Sequence, residues 1–142
     1  MSTTRGGARK AKQFSWHYDP DSRSVVIINE KGRGLVYTVQ QVAATLAALK
    51  ASFGTREIPL ANNVAKLGDG SEQPGLGTVL YGIEADTTFA QGASYLGVVL
   101  EELGYLRWNG RSRGIGWRLT DVPLDAEGLE RRLREHQAAR AS

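Results

Sequence analysis

Cysteine is absent from the 142 residues, which excludes disulfides, a thiol nucleophile and thiolate zinc sites together. Histidine occurs only as His17 and His136, too few for a metal site built from several imidazoles of one chain. No run approaches the roughly 18 to 20 uncharged apolar residues that a membrane span needs. The basic residues near the N-terminus also have no apolar stretch behind them. The expectation is a soluble, unexported chain with no membrane partner, cytoplasmic, and nucleoid-associated if it binds DNA. A Gly-Lys-Ser/Thr phosphate loop and a nucleophile elbow are both missing. Gly75, Gly77 and Gly82 lack the strand-turn-helix setting of a dinucleotide site. His17, Asp19 and Asp21 lie close enough to raise a metal-dependent nuclease, but a single His in a hairpin reads more simply as a surface residue. These absences lead to an expectation of no catalysis, no metal and no cofactor.

What the chain does have is apolar material for a core. Hydrophobic residues make up 41%, with three Trp, five Tyr and three Phe, enough for one compact domain or two very small lobes. Its formal net charge of +3 is unevenly spread. Residues 1–13 carry Arg5, Arg9, Lys10 and Lys12 and no acid, and residues 105–120 carry Arg107, Arg111, Arg113 and Arg118 and no acid. Between them, six basic residues face ten acidic ones, and the segment from 121 onward is nearly neutral. Positive charge gathered in a tail and one short segment is what a polyanion-binding surface shows.

Residues 1–13 are small and polar without periodicity, which reads as a flexible basic arm. A solubilising tail is the plainer alternative. From Phe14 the period becomes two, with Phe14, Trp16 and Tyr18, then a turn at Asp19-Pro20-Asp21-Ser22, then Val25 to Ile28. A second turn at Lys31-Gly32-Arg33-Gly34 and a short strand from Leu35 to Thr38 complete an antiparallel meander. Thr38 can cap a helix whose apolar positions run from Val39 to Phe53, with Gly54 as the stop. A shorter helix is expected over Pro59 to Leu67, closed by Gly68. Leu76 to Tyr81 fits a short helix or a strand, since periodicity does not separate the two over six residues, and helix is the preferred reading.

The stretch from Thr87 to Thr120 is the most informative. Thr87 or Thr88 can cap one helix whose positions Phe89, Ala93, Leu96, Leu100 and Leu103 form a single stripe, ended by Gly104. Tyr105 to Trp108 and Ile115 to Thr120 then read as the two strands of a hairpin, joined by Asn109-Gly110-Arg111-Ser112-Arg113-Gly114. A helix followed at once by a hairpin with a basic tip resembles the second half of a winged helix-turn-helix domain, over about residues 56–120. The resemblance implies that the helix enters a DNA major groove by its N-terminal end. Thr87, Thr88, Gln91, Ser94 and Tyr95 would then face DNA, with Gln91 able to bond adenine. Arg111 and Arg113 at the wing tip, flanked by Arg107 and Arg118, would meet phosphates or a narrow minor groove. The helix departs from this pattern in having no Lys or Arg and in carrying Glu101 and Glu102 towards its C-terminal end.

Plainer readings stand beside these. The hairpin arginines can simply keep an exposed edge soluble. Trp108 and Trp117 read as packing residues rather than base-stacking platforms, and Gly92, Ala93 and Gly97 as sites of close helix packing or backbone approach to a partner. Leu124, Leu129 and Leu133 form a narrow stripe on a C-terminal amphipathic helix that can fold back on the body or pair with a second copy. The resulting expectation is an α+β chain with four parts. These are an arm (1–13), a meander plus helix (14–55), a winged-helix-like unit (56–120) and a C-terminal helix (121–142). It would bind double-stranded DNA without catalysis, as a small transcriptional regulator or accessory factor, possible homodimers included. A protein-interaction module built on the same fold, or RNA binding through the arm and hairpin, are the alternatives.

Overall fold

A computed structural model describes residues 1–7 and 10–141. The first sheet grows from the period-two pattern. Strand β2 (Gln13–Asp19) buries Phe14, Trp16 and Tyr18 and leaves Gln13 and His17 exposed. It pairs antiparallel with β3 (Ser24–Ile28), which pairs in turn with β4 (Gly34–Thr38). The expected three-stranded meander is therefore present. A fourth strand, β1 (Ser2–Thr3), adds to the free edge of β2 with Ser2 opposite Phe14.

That extra strand corrects the reading of residues 1–13 as a flexible arm. Thr4 is buried, and its Oγ1 accepts a hydrogen bond from the Lys12 backbone N–H at 2.8 Å. Arg5 reaches Glu101 through two parallel hydrogen bonds of 2.7 and 3.1 Å and lies 4.4 Å from the centroid of the Trp108 ring. Polar composition concealed the docking because the contacts are backbone pairing and one ion pair, neither of which has an apolar signature. Arg9 lies outside the described residues.

Helix α1 (Val39–Phe53) follows β4 without a loop. Thr38 and Gln41 form a reciprocal capping box, and Gly54 (φ 58°) ends the helix. The next segment departs from expectation. Ile58–Pro59 is a short strand, β5, that pairs with a later strand with Ile58 opposite Trp117. Proline tolerates this sheet-edge position, and burial of Ile58 outweighs the helix-start signal of Pro59. The helix starts later, as α2 (Val64–Asp69), where Asn63 Oδ1 accepts from Lys66 N at 3.1 Å. It runs through Gly68 to a left-handed Gly70. Helix α3 (Leu76–Ile83) forms as expected.

The remaining elements are α4 (Thr87–Gln91), α5 (Ala93–Glu102), β6 (Leu106–Trp108), β7 (Gly116–Leu119) and α6 (Ala126–Ala141). Strands β5, β7 and β6 make a second antiparallel sheet in that order. One apolar cluster runs without a break from Phe14 and Tyr37 through α1 and α5 to Trp117 and Leu133, so the meander and the later units share a core. Gly97 is where the hairpin meets α5. A Cβ there would collide with the Trp117 indole, so the small residue permits close packing within the chain.

Helix α6 folds back against α1 and β2 and buries Leu129 and Leu133. The leucine stripe is thereby used within the chain. Polar bonds fasten the same helix to β2. Glu130 accepts from the Tyr18 hydroxyl and from two Arg23 nitrogens at 3.0 Å. Arg140 donates to the Trp16 carbonyl, and His136 stacks on the Trp16 ring with centroids 4.5 Å apart. The Arg23 and Tyr18 bonds draw the Glu130 carboxyl down to about 2. No described helix is long and apolar enough to cross a membrane.

Three outcomes follow from this packing. Gly97→Ala should destabilise by about 1–3 kcal/mol through overpacking against Trp117, measured by urea denaturation. Arg5→Ala should cost about 1–2 kcal/mol by leaving a mostly buried Glu101 carboxylate short of its charged donor, whereas Lys12→Ala on the exposed surface should stay within about 0.5 kcal/mol. The third concerns acid. Because folding lowers the Glu130 pKa, its stabilisation is complete above the ordinary value near 4.5 and is lost as pH falls towards about 2. Glu130→Gln should therefore be less stable at pH 7 and lose less stability between pH 5 and 2 than the parent, as read from thermal melts across that range.

Candidate nucleic-acid interface

The helix read as one unit from Thr87 is two. Asp86, not Thr87 or Thr88, is the cap, and its Oδ1 accepts from the backbone N–H of Thr88 at 2.8 Å and of Phe89 at 3.3 Å. The break falls at Gly92 between α4 and α5. There the Tyr37 hydroxyl donates to the Phe89 carbonyl at 2.7 Å, and a Cβ on Gly92 would overlap Tyr37. The buried tyrosine thus takes a carbonyl that a continuous helix would have used itself. The apolar stripe survives the break, with Ala93, Leu96, Leu100 and Leu103 buried and Phe89 packed on Tyr37 at 4.7 Å.

Both sheets hold the α4–α5 junction. On one side Asn62 Nδ2, just beyond β5, donates to the Gln91 carbonyl at 2.9 Å. On the other, the Tyr95 hydroxyl donates to Glu30 Oε2 in the β3–β4 turn at 2.7 Å. The Tyr95 ring also meets Phe14 edge-on at 5.2 Å. Burial and the Glu30 bond push the Tyr95 hydroxyl up to about 12, while that bond together with Lys12 and Lys31 draws the Glu30 carboxyl below its usual range.

The hairpin tip is organised by Asn109. Its Oδ1 accepts from Arg111 N at 2.9 Å and its Nδ2 donates to the Gly114 carbonyl at 2.9 Å, between Gly110 and Gly114 at positive φ. Trp108 Nε1 donates to the Arg111 carbonyl at 3.1 Å. Arg107 and Arg118 sit directly opposite each other across β6 and β7 and are exposed. Strand alternation places them on the face away from Trp117, whose indole packs on Gly97 of α5 and donates to Glu101 at 2.9 Å.

These elements enclose a cleft of about 1300 Å³. It is lined by the α4–α5 residues Thr88, Gln91, Ser94 and Tyr95, with Asn62 bonded to Gln91 beside them. Lys10 and Lys12 line it from the N-terminal segment, Lys31 and Arg33 from the β3–β4 turn, and Arg113 from the hairpin tip. All five cations are exposed and none forms a salt bridge among the described residues. Among the described residues Glu30 is the one carboxylate in the lining.

The cleft therefore gathers Thr88, Gln91, Ser94, Tyr95, Arg113, Lys10 and Lys12 of the residues expected from sequence. It leaves out Thr87, which is half-buried, as well as Arg107, Arg111 and Arg118. Arg5 is committed to Glu101 and Trp108. Trp117 is fully buried, and Trp108 is half-buried with Arg5 over its ring, so both serve packing. Sequence reasoning missed Asn62, Glu30, Lys31 and Arg33. Lys31-Gly32-Arg33 was visible as a basic turn, but it lies in a segment whose acids outnumber its bases, and the segment total hid it.

A concave surface with five unpaired cations and a set of neutral donors and acceptors suits a polyanion whose interior edges can hydrogen-bond. Among the described residues no cluster of three His, Asp or Glu could hold a metal ion. Asp19, from the suspected nuclease group, accepts from Asp21 N at 3.1 Å and Ser22 Oγ at 2.8 Å to shape its own turn. No family model, curated protein or solved structure matches this chain, so a functional reading rests on the cleft itself.

Proposed function

We propose that the chain binds double-stranded DNA without chemistry on it, as a small regulator or accessory factor of the winged-helix type. The observation that carries this reading is the convergence of Gln91, Ser94, Arg113 and the two lysines of the N-terminal segment on one cleft. These residues are widely separated in sequence, and the fold brings them together with exposed, unpaired cations. The succession of α5 and the β6–β7 hairpin, locked by Gly97 against Trp117, supports the winged arrangement.

The division of labour follows from chemistry. Lysine and arginine neutralise phosphates and release counterions, which sets affinity and its salt dependence. Gln and Ser are uncharged and read base edges without releasing ions. Glu101 and Glu102, an apparent obstacle in sequence, bond to Arg5, Trp117, Trp16 and Ser2 and do not line the cleft.

The test is a titration of labelled duplex by anisotropy across 25–200 mM salt. If three to five phosphates are neutralised, log K should fall against log salt with a slope of roughly −3 to −5. Arg113→Ala should reduce that slope by about 1, whereas Arg107→Ala with Arg118→Ala should leave it unchanged. Gln91→Ala with Ser94→Ala should lower discrimination between a selected site and random duplex by about 1–3 kcal/mol at constant slope. Affinity that is flat in salt, or an absence of binding at 25 mM, would overturn the reading; tighter binding to single-stranded RNA than to duplex would redirect it.

A further inference from the structure

We propose that the β3–β4 turn is a second DNA-gripping element, in which Lys31 and Arg33 hold the phosphate backbone across the groove from the one met by Arg113. The inference rests on the duplex reading above and extends it to a part of the chain outside the winged unit. Its basis is that the α4–α5 junction is bonded on both flanks, to Asn62 on the side of the hairpin sheet and to Glu30 on the side of the meander. The two cationic tips therefore come from the two different sheets, and both line the cleft that Gln91 and Ser94 also line.

The turn is built to present charge at a fixed place. Asn29 Oδ1 accepts from the backbone N–H of both Lys31 and Arg33 at 2.9 Å. The strands close beneath it through Asn29 N to the Arg33 carbonyl at 2.9 Å, and Gly32 takes φ 77°. Asn109 fixes the hairpin tip in the same way, by accepting from Arg111 N. Each tip thus has an ordered backbone and free cationic side chains. A duplex groove is bordered by two phosphate backbones with base edges between them. Two cationic tips that share a cleft with neutral hydrogen-bonding side chains complement that arrangement.

Glu30 fits the same scheme as a positioning residue. A carboxylate among five cations would repel a phosphate, but here it accepts from Tyr95 and so holds the turn against the first turn of α5. Without the Tyr95 hydroxyl, the turn loses its strut and the carboxylate is left free in the cleft. Glu30→Gln keeps an acceptor for Tyr95 and removes the charge.

The experiment compares full-length variants on one labelled duplex and maps the contacted phosphates by ethylation interference. The parent should show two patches, one on each strand, facing each other across one groove. Lys31→Ala with Arg33→Ala should remove one patch, lower affinity at 100 mM salt by about tenfold or more, and reduce the salt slope by up to about 2. Arg113→Ala should weaken the other patch. Tyr95→Phe should weaken binding while preserving the ring contact with Phe14, and Glu30→Gln should bind at least as tightly as the parent. Melts showing the turn variants folded accompany the titration, and the interference map, read on the bound fraction, reports geometry separately from affinity. If the parent binds duplex with a steep slope but the Lys31 and Arg33 changes leave slope and both patches intact, the second grip is wrong and the one-sided winged reading stands. If the parent does not bind duplex at all, both readings fall together.

Discussion

Two neighbouring carboxylates at the end of α5 hold the two sheets to one another. Glu101 accepts from two Arg5 nitrogens and from the Trp117 indole N–H, while Glu102 accepts from the Trp16 indole N–H at 3.2 Å and the Ser2 hydroxyl at 2.6 Å. Trp16 belongs to the meander, Trp117 to the hairpin, and Ser2 and Arg5 to the N-terminal segment. Each large ring needs a partner for its N–H when buried, and each acid needs donors when it leaves water. The same few bonds meet both needs. The cleft depends on this fastening, because its lining comes in part from the segments attached to the two sheets that α5 joins.

The distribution of charge has a related logic. Acids that could face a polyanion are occupied elsewhere: Glu101 and Glu102 with the indoles and Arg5, Glu130 with Tyr18 and Arg23, Glu30 with Tyr95. Some arginines likewise have partners within the chain, with Arg132 bonded to the Leu103 carbonyl and lying over Tyr105, and Arg134 over Tyr18. Of the described cations that keep no internal partner, five meet in the cleft. A net charge of +3 therefore understates the local field, which is set by which charges lack internal partners.

Local periodicity carried much of the fold. Alternation at Phe14, Trp16 and Tyr18, the cap at Thr38 and the Asn109-Gly110 turn each act within a few residues, and the strands, helix and hairpin appear where these signals place them. The departures come from partners far away in the chain. Ile58 is a strand residue because Trp117 lies opposite it, the helix breaks at Gly92 because Tyr37 presses on it, and the first residues are ordered because Glu101 waits for Arg5. The cleft was half legible for the same reason. Gln91, Ser94 and Arg113 lie on elements whose exposure local rules predict, whereas the inclusion of Lys31 and Arg33 depends on the meander packing beside α5. No motif within either segment records that packing.

The docked N-terminal segment has a consequence for how its lysines work. Thr4 and Lys12 are bonded to each other, Thr4 N donating to the Lys12 carbonyl at 2.9 Å and Thr4 Oγ1 accepting from Lys12 N, while Arg5 is pinned to Glu101. Lys12 therefore belongs to a closed loop rather than to a free end, and Lys10, whose N–H donates to the Gly7 carbonyl at 2.7 Å, sits on the same loop. A disordered tail would surrender much conformational entropy on gripping an anion, at roughly 1–2 kcal/mol per backbone residue fixed. Here folding has already met most of that cost. These lysines are preorganised, and the strength of their contacts is tied to the stability of the strand that anchors them.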